Sequence, residues 1–258
     1  MKIGIVGLGA VGSALRDLFP AAAVYDEPLG IGRREDVRGV AVAFVCVPTP
    51  LGVGGAADVS AVESVVRWLD AGVIVVRSTV SVGTTRRLAE TYHKAIVFQP
   101  EFGPGESVEH PYSDLRQIRW LILGGERAAC LLAARAWQLV YSSDVTIAYT
   151  TWELAEFTKY VENAYLAVKV TFCNEVYEIA RAVGLAYEEV RELWLLDPRV
   201  GRSHTFVYPD DRGFGGRCLP KDLQAFVALS KAAGFDPSLL TTTLSANERY
   251  RKLSSTEK

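Results

Sequence analysis

Two glycine-rich stretches carry most of the recognisable chemistry in this 258-residue chain. In the first, Gly213-Phe214-Gly215-Gly216-Arg217-Cys218-Leu219-Pro220-Lys221-Asp222, a thiol sits in a permissive loop between two cations. Glycine freedom gives the thiol access, and Arg217 and Lys221 favour its thiolate, so Cys218 reads as a nucleophile. Asp222 suits two roles, orienting a water or proton in catalysis and capping a helix that opens after Pro220. In the second, Ile3-Gly4-Ile5-Val6-Gly7-Leu8-Gly9-Ala10-Val11-Gly12, the pattern G-x-G-x-x-G follows a strand-like run and opens a helix-like one. Gly7 permits a tight turn, Gly9 admits a pyrophosphate to the backbone, and Gly12 lets helix pack on strand. The helix start at Ala10 and Val11 then faces the phosphates.

Other positions support these two. Asp26 ends the run Val24-Tyr25-Asp26, where a carboxylate accepts hydrogen bonds from an adenosine ribose and disfavours a 2′-phosphate. That favours NAD over NADP; the other reading is a plain turn residue. The interval from Gly12 is shorter than the usual ~20 residues, so the helix between must be brief. Arg33 and Arg34 are either contacts for a 2′-phosphate or solvated charges. Lys159 and Asn163 lie four apart in a helical stretch and share a face, fit to hydrogen-bond an oxyanion together or to form a solvated surface. Cys46, Cys130 and Cys173 lie in apolar runs and read as core thiols. The cysteines have no metal-ligand spacing, so no metal is expected.

The elements that must position these residues come in two textures. Apolar strand-like runs at 3–6, 22–25, 41–47, 73–77, 95–99 and 120–123 alternate with helical segments, which implies an α/β domain with a doubly wound, Rossmann-type parallel sheet over residues 1–150. From 151 to 258 the pattern is all-helical: a long helix from Trp152 to about Val183 stopped by Gly184, then helices at 187–196, 222–233 and 237–251, with a frayed tail from Ser254. One long apolar-striped helix beside few others leaves a face uncovered, which predicts a homodimer. The formal net charge of −2 gives no general case for nucleic acid or an anionic membrane. Pro48, Pro50 and several glycines break up the uncharged stretch 39–57, and no signal peptide is expected, so the reading is a cytoplasmic protein without membrane segments.

The motif from Gly213 to Asp222 resembles the GFGGxCxPKD pattern of the UDP-glucose/GDP-mannose dehydrogenase family. Cys46-Val47-Pro48-Thr49-Pro50, Ser78-Thr79-Val80, Pro100-Glu101-Phe102, the helix with Lys159, Asn163, Asn174 and Glu175, and Asp197-Pro198-Arg199-Val200-Gly201 occur in the family's order. The resemblance spans nearly the whole chain. It implies NAD contacts from Val47, Pro48, Thr49, Ser78 and Thr79, and substrate contacts from Glu101, Phe102, Lys159, Asn163, Phe214, Gly215 and Arg217. Arg199 matches an arginine presented to substrate across a dimer interface, with a surface salt bridge as the other reading. The implied reaction takes a primary alcohol, such as that of a nucleotide sugar, to a carboxylic acid in two hydride transfers. Cys218 captures the aldehyde, Lys159 and Asn163 stabilise the oxyanion, and Asp222, Glu101 or Thr79 aligns the hydrolytic water.

The sequence departs from that pattern in three places. The family's C-terminal nucleotide-binding third is expected to be missing after Asn247-Glu248-Arg249, which leaves open whether the alcohol carries a nucleotide or a partner chain supplies recognition. Gly103-Pro104-Gly105 precedes Glu106 where a second family glutamate is usual. Arg217 replaces a small or aromatic residue, and either binds a substrate anion or lowers the thiol pKa. The alternatives are a two-electron dehydrogenase of the 6-phosphogluconate/3-hydroxyacid type, which has no use for Cys218, and a non-catalytic NAD-binding relic.

Overall fold

The computed structural model describes residues 1–103, 114–141 and 144–256, with side chains through 253. Two compact units divide the chain at Tyr160/Val161, inside a long helix. The first is a seven-stranded sheet in the order β2-β1-β3-β4-β5-β6-β7. Its strands are β1 (Ile3–Val6), β2 (Ala23–Tyr25), β3 (Val40–Val45), β4 (Ala71–Val76), β5 (Ile96–Phe98), β6 (Trp120–Gly125) and β7 (Thr146–Thr150). Helices α1 (Ala10–Leu18), α2 (Ser60–Trp68), α3 (Thr84–Tyr92) and α4 (Arg127–Trp137) link them. The α/β class and its mostly parallel sheet agree with the expectation; α1, at nine residues, is as brief as the Gly12–Asp26 interval requires.

The central strands are apolar on both faces because helices cover both sides. Along β3 and β4, Val42, Phe44, Val73 and Val75 join one core layer, while Ala43, Val45, Ile74 and Val76 join the other. Trp137 on α4 anchors the first layer, edge-on to Phe19 and Phe44 and stacked on Tyr141. The sheet departs from the expectation of parallel strands throughout. β6 pairs antiparallel with β5, and β7, which the sequence pattern did not reveal, pairs parallel with β6. β7 lies at the edge and is only partly buried, so it lacks the apolar pattern of the central strands.

The helical elements are α5 (Trp152–Ala182), which runs from the first unit into the second, α6 (Tyr187–Trp194), α7 (Leu219–Ala232) and α8 (Ser238–Thr256). α5 persists for 31 residues because no Gly or Pro interrupts it, and it stops where Gly184 turns left-handed and the Leu185 N–H closes on the Ala180 carbonyl. Within the second unit, Ala164 and Ala167 of α5 pack with Phe214 and Leu223, and Cys173 and Ala180 pack with Tyr187 and Val207. Two boundaries correct the sequence reading. α7 starts at Leu219 rather than Asp222, because Pro220 is tolerated in a first turn. α8 continues to Thr256, past the expected fraying at Ser254. Among the described residues, no helix is long and apolar enough to cross a membrane.

Candidate active site

The first unit gathers its candidates at the carboxyl ends of parallel strands, where open α/β sheets bind ligands. Gly7 follows β1, Asp26 follows β2, Val47 to Thr49 follow β3, Ser78 and Thr79 follow β4, and Glu101 and Phe102 follow β5. A Cβ on Gly12 would stand 1.8 Å from the Gly7 carbonyl oxygen, so only glycine lets α1 begin this close to the strand. Gly9, the N-cap of α1, has no atom within 4 Å of where a Cβ would be. An open glycine ahead of the exposed Ala10 and the half-buried Val11 fits a pyrophosphate seated on the helix N-terminus.

Asp26 is 9% exposed; its Oδ2 accepts the Leu8 N–H at 2.7 Å and its Oδ1 the Leu29 N–H at 2.9 Å. The carboxylate is therefore fixed against the glycine loop, with lone pairs left for a ribose. Arg34 is committed elsewhere. Its Nε donates to Tyr25 Oη at 3.2 Å, it pairs with Glu27, and its guanidinium lies 5.0 Å from the Trp68 ring centroid. Arg33 pairs with Asp36. Across the neighbouring strand ends, Ser78 Oγ donates to the Val47 carbonyl at 2.6 Å, and Thr49 is buried while Pro48 is exposed.

Glu101 is held on three sides. Its Oε1 accepts the N–H groups of Phe102 and Gly103, each at 2.9 Å, and its Oε2 is paired with Arg77. Burial pushes Arg77 down to about 10. Lys159, buried on α5, places its Nζ 5.2 Å from the centroid of the Phe102 ring. Three residues before it, the fully buried Glu156 accepts from the Gly83 and Thr85 N–H groups at the start of α3, at 2.6 and 2.8 Å. Desolvation raises the Glu156 carboxyl above its ordinary range, against those hydrogen bonds. Glu106 lies outside the described residues.

In the second unit Cys218 is the N-cap of the 14-residue α7 and is half-buried, with the helix dipole favouring negative charge at that end. The Cys218 carbonyl accepts the Asp222 N–H at 2.8 Å, so the thiol and carboxylate residues are one turn apart. Asp222 is not the N-cap, because α7 starts three residues before it. It is 1% exposed, accepting from Asn163 Nδ2 at 2.6 Å and from Lys221 Nζ at 2.5 Å. Asp222 and Asn163 thus form a buried side-chain pair one turn along the helix from Cys218, with Lys221 as the cation on Asp222. Phe214 is buried, whereas Gly215 and Arg217 are exposed. Arg199 is highly exposed and pairs with Asp197 in a surface salt bridge.

Two family models match the chain: the UDP-glucose/GDP-mannose dehydrogenase family, NAD binding domain, over residues 31–143, and the central domain of the same family over residues 153–249. The chain belongs to the UDP-glucose/GDP-mannose dehydrogenase family. As in that family's NAD binding domain, the cofactor is NAD. The UDP-glucose 6-dehydrogenase of Pseudomonas aeruginosa is 30% identical, the match covering 93% of this chain and 55% of that protein. The UDP-glucose 6-dehydrogenase of Rhizobium meliloti is 31% identical over 82% of this chain and 51% of that protein. The chain therefore spans about half the length of the curated relatives it matches. Among solved structures, a UDP-glucose dehydrogenase from Pyrobaculum islandicum superposes with a TM-score of 0.80 at 26% identity, covering 96% of this chain and 68% of that one. A 3-hydroxyisobutyrate dehydrogenase from Mycobacterium tuberculosis, at 16% identity and a TM-score of 0.71, shares the fold over 100% of this chain and 99% of that one.

For this member of the UDP-glucose/GDP-mannose dehydrogenase family, sequence reasoning overlooked Arg77, Glu156, Arg212 and Asn247. Arg77 adjoins the Ser78-Thr79 motif, and its placement at the end of an apolar strand was the available signal. Glu156 reads on sequence as an ordinary helical charge. Its engagement becomes visible only when α3 is placed against it.

Proposed function

We propose that this protein is an NAD-dependent dehydrogenase that oxidises the primary alcohol of a nucleotide sugar, such as UDP-glucose, to the carboxylic acid through a covalent intermediate on Cys218. The observation that carries this reading is Cys218 at the N-cap of α7, one turn before the buried Asp222–Asn163 pair, in a chain of this family. NAD supplies a hydride acceptor for each of the two oxidations.

In the first oxidation the alcohol carbon gives up hydride and its hydroxyl gives up a proton to solvent, leaving an aldehyde. The Cys218 thiolate then adds to the aldehyde carbon, forming a C–S bond, while Lys159 and Asn163, one helical turn apart, stabilise the charge left on oxygen. Loss of a second hydride from that carbon leaves a thioester. Water attacks it, the C–S bond breaks, and the acid and the Cys218 thiolate are released. Asp222, one turn along α7 from Cys218, is the favoured residue for aligning that water, with Glu101 and Thr79 as the other candidates. Covalent capture explains how a reactive aldehyde is retained between two oxidations.

The exposed stripe Val161, Tyr165, Phe172 and Ile179 on one side of α5 supports a homodimer as the working form. A cytoplasmic location is part of this proposal, as are substrate contacts from Phe102, Phe214, Gly215, Arg217 and Arg199. The test is a screen of UDP-sugars, GDP-sugars and simpler phosphorylated alcohols with NAD. Two NADH per acid formed is expected, and none from Cys218→Ala beyond a first oxidation. One NADH per substrate, unchanged in Cys218→Ala, supports instead a two-electron dehydrogenase. Absence of NADH with every alcohol supports a binding protein.

A further inference from the structure

The loop that carries Cys218 is fastened at its root and bare at its crown. Gly215, Gly216 and Arg217 are exposed, and Gly216 is left-handed at φ +73. At the root, Arg212 is 4% exposed and grips α5. Its Nε donates to Asn174 Oδ1 at 2.8 Å, its Nη1 to Glu178 Oε1 at 2.7 Å, and its Nη2 to the Asn174 carbonyl at 3.3 Å. The guanidinium also lies 4.3 Å from the Tyr177 ring centroid and 5.6 Å from that of Tyr250. Asn174 Oδ1 takes the Gly213 N–H as well, at 3.1 Å. From α8, Asn247 accepts the Phe214 N–H at 2.7 Å and donates to the Phe214 carbonyl at 2.9 Å.

We propose that Arg212 is a positioning residue for Cys218, setting the place of the nucleophile by locking the loop root to α5. Four residues separate the locked Phe214 from the first residue of α7, and Gly215, Gly216 and Arg217 among them are exposed. The thiol is therefore located from two ends: α7 behind it and the Arg212-held root before it. A buried guanidinium costs desolvation, and a hydrophobic residue of the same volume would fill the space as well. A fork that bonds an amide and a carboxylate at once fixes register, which an apolar side chain does not. Asn247 adds a second, separate tie to the same root. The proposal rests on the Cys218 reading above.

The experiment uses the full chain with Arg212→Met, Arg212→Lys and Glu178→Gln, which removes only the partly exposed charge. Three quantities are read: amide exchange over residues 213–218, the rate at which iodoacetamide alkylates Cys218, and kcat and KM for NADH formation from UDP-glucose. In Arg212→Met, exchange at 213–214 should speed up while α7 is unchanged, and kcat should fall by about tenfold or more with KM for NAD within about twofold, as expected when a reacting atom is misplaced. Arg212→Lys, which keeps the charge and loses the fork, should recover part of kcat. The Cys218 alkylation rate should shift in either direction by more than about threefold, since thiol reactivity follows its surroundings. A wild-type kcat and alkylation rate in Arg212→Met overturns the proposal, as does a rise in KM for NAD with kcat unchanged. Should Arg212→Met not fold, the same criteria apply to Glu178→Gln. If the wild-type protein makes no NADH, the enzymatic reading fails, and exchange and alkylation still decide whether Arg212 places the thiol.

Discussion

Cys46, Cys130 and Cys173 are all held away from ionisation by their surroundings. Burial pushes Cys46 up to about 12 against the charge of Arg77, pushes Cys130 up to about 11, and raises Cys173 despite Tyr187 and Lys169. Cys46 is half-buried as a residue. Cys218 is half-buried at a helix N-terminus in a glycine loop. Limited iodoacetamide at pH 8 should therefore modify Cys218 first, checked by peptide mass spectrometry; equal labelling of Cys130 contradicts this. Glu63 gives a pH prediction. Its carboxylate accepts from Arg87 and from Tyr92 Oη, both at 2.9 Å, which hold it below the ordinary carboxylate range. A lowered folded pKa contributes stability above the unfolded value and loses it as pH falls through the folded one. Glu63→Gln should melt below wild type at pH 7, and the gap should narrow as pH falls below the ordinary carboxylate range. A gap that acid leaves unchanged contradicts the assignment.

At the scale of elements, the β1–α1 junction depends on a contact that no side chain survives. With 1.8 Å between a Gly12 Cβ and the Gly7 carbonyl oxygen, Gly12→Ala forces the loop away from α1. The expected result is a loss of about 2 kcal/mol or more in denaturant unfolding and NAD affinity weakened by more than about tenfold. Unfolding curves and NAD titration check it, and wild-type values for both would show that the loop repacks without cost. The other elements serve the site in ordinary ways. α3 starts on the Glu156 carboxylate, and the extra turn of α7 moves the helix start back to Cys218, which places Asp222 inside the first turns.

For the whole molecule, the exposed stripe on the second unit's part of α5 is the feature with most left to explain. Val161, Tyr165, Phe172 and Ile179 are 44%, 59%, 50% and 56% exposed, and at 100° per residue they fall within one narrow face. Contiguous apolar surface of this kind marks an interaction site. The wild-type protein should run as a dimer at micromolar concentration and Phe172→Glu as a monomer, measured by light scattering. A monomeric wild type rules out this use of the stripe.

Much was legible because some residues are needed for local reasons. The need for glycine at 12 follows from steric contact with the nearby Gly7 carbonyl, and the apolar runs of β1, β3 and β4 follow from burial on both faces. The ordered motifs around Cys218 were enough to identify the family. Other features depend on partners far along the chain. The antiparallel direction of β6 is not written in its local pattern, since both directions satisfy the backbone. Glu156, Arg212 and Asn247 are polar residues whose meaning is set by hydrogen bonds to segments 71, 38 and 33 residues away. Local pattern determines what each element can bury; the packed structure decides which polar groups meet, because desolvation leaves a buried charge only the partners that the fold brings to it.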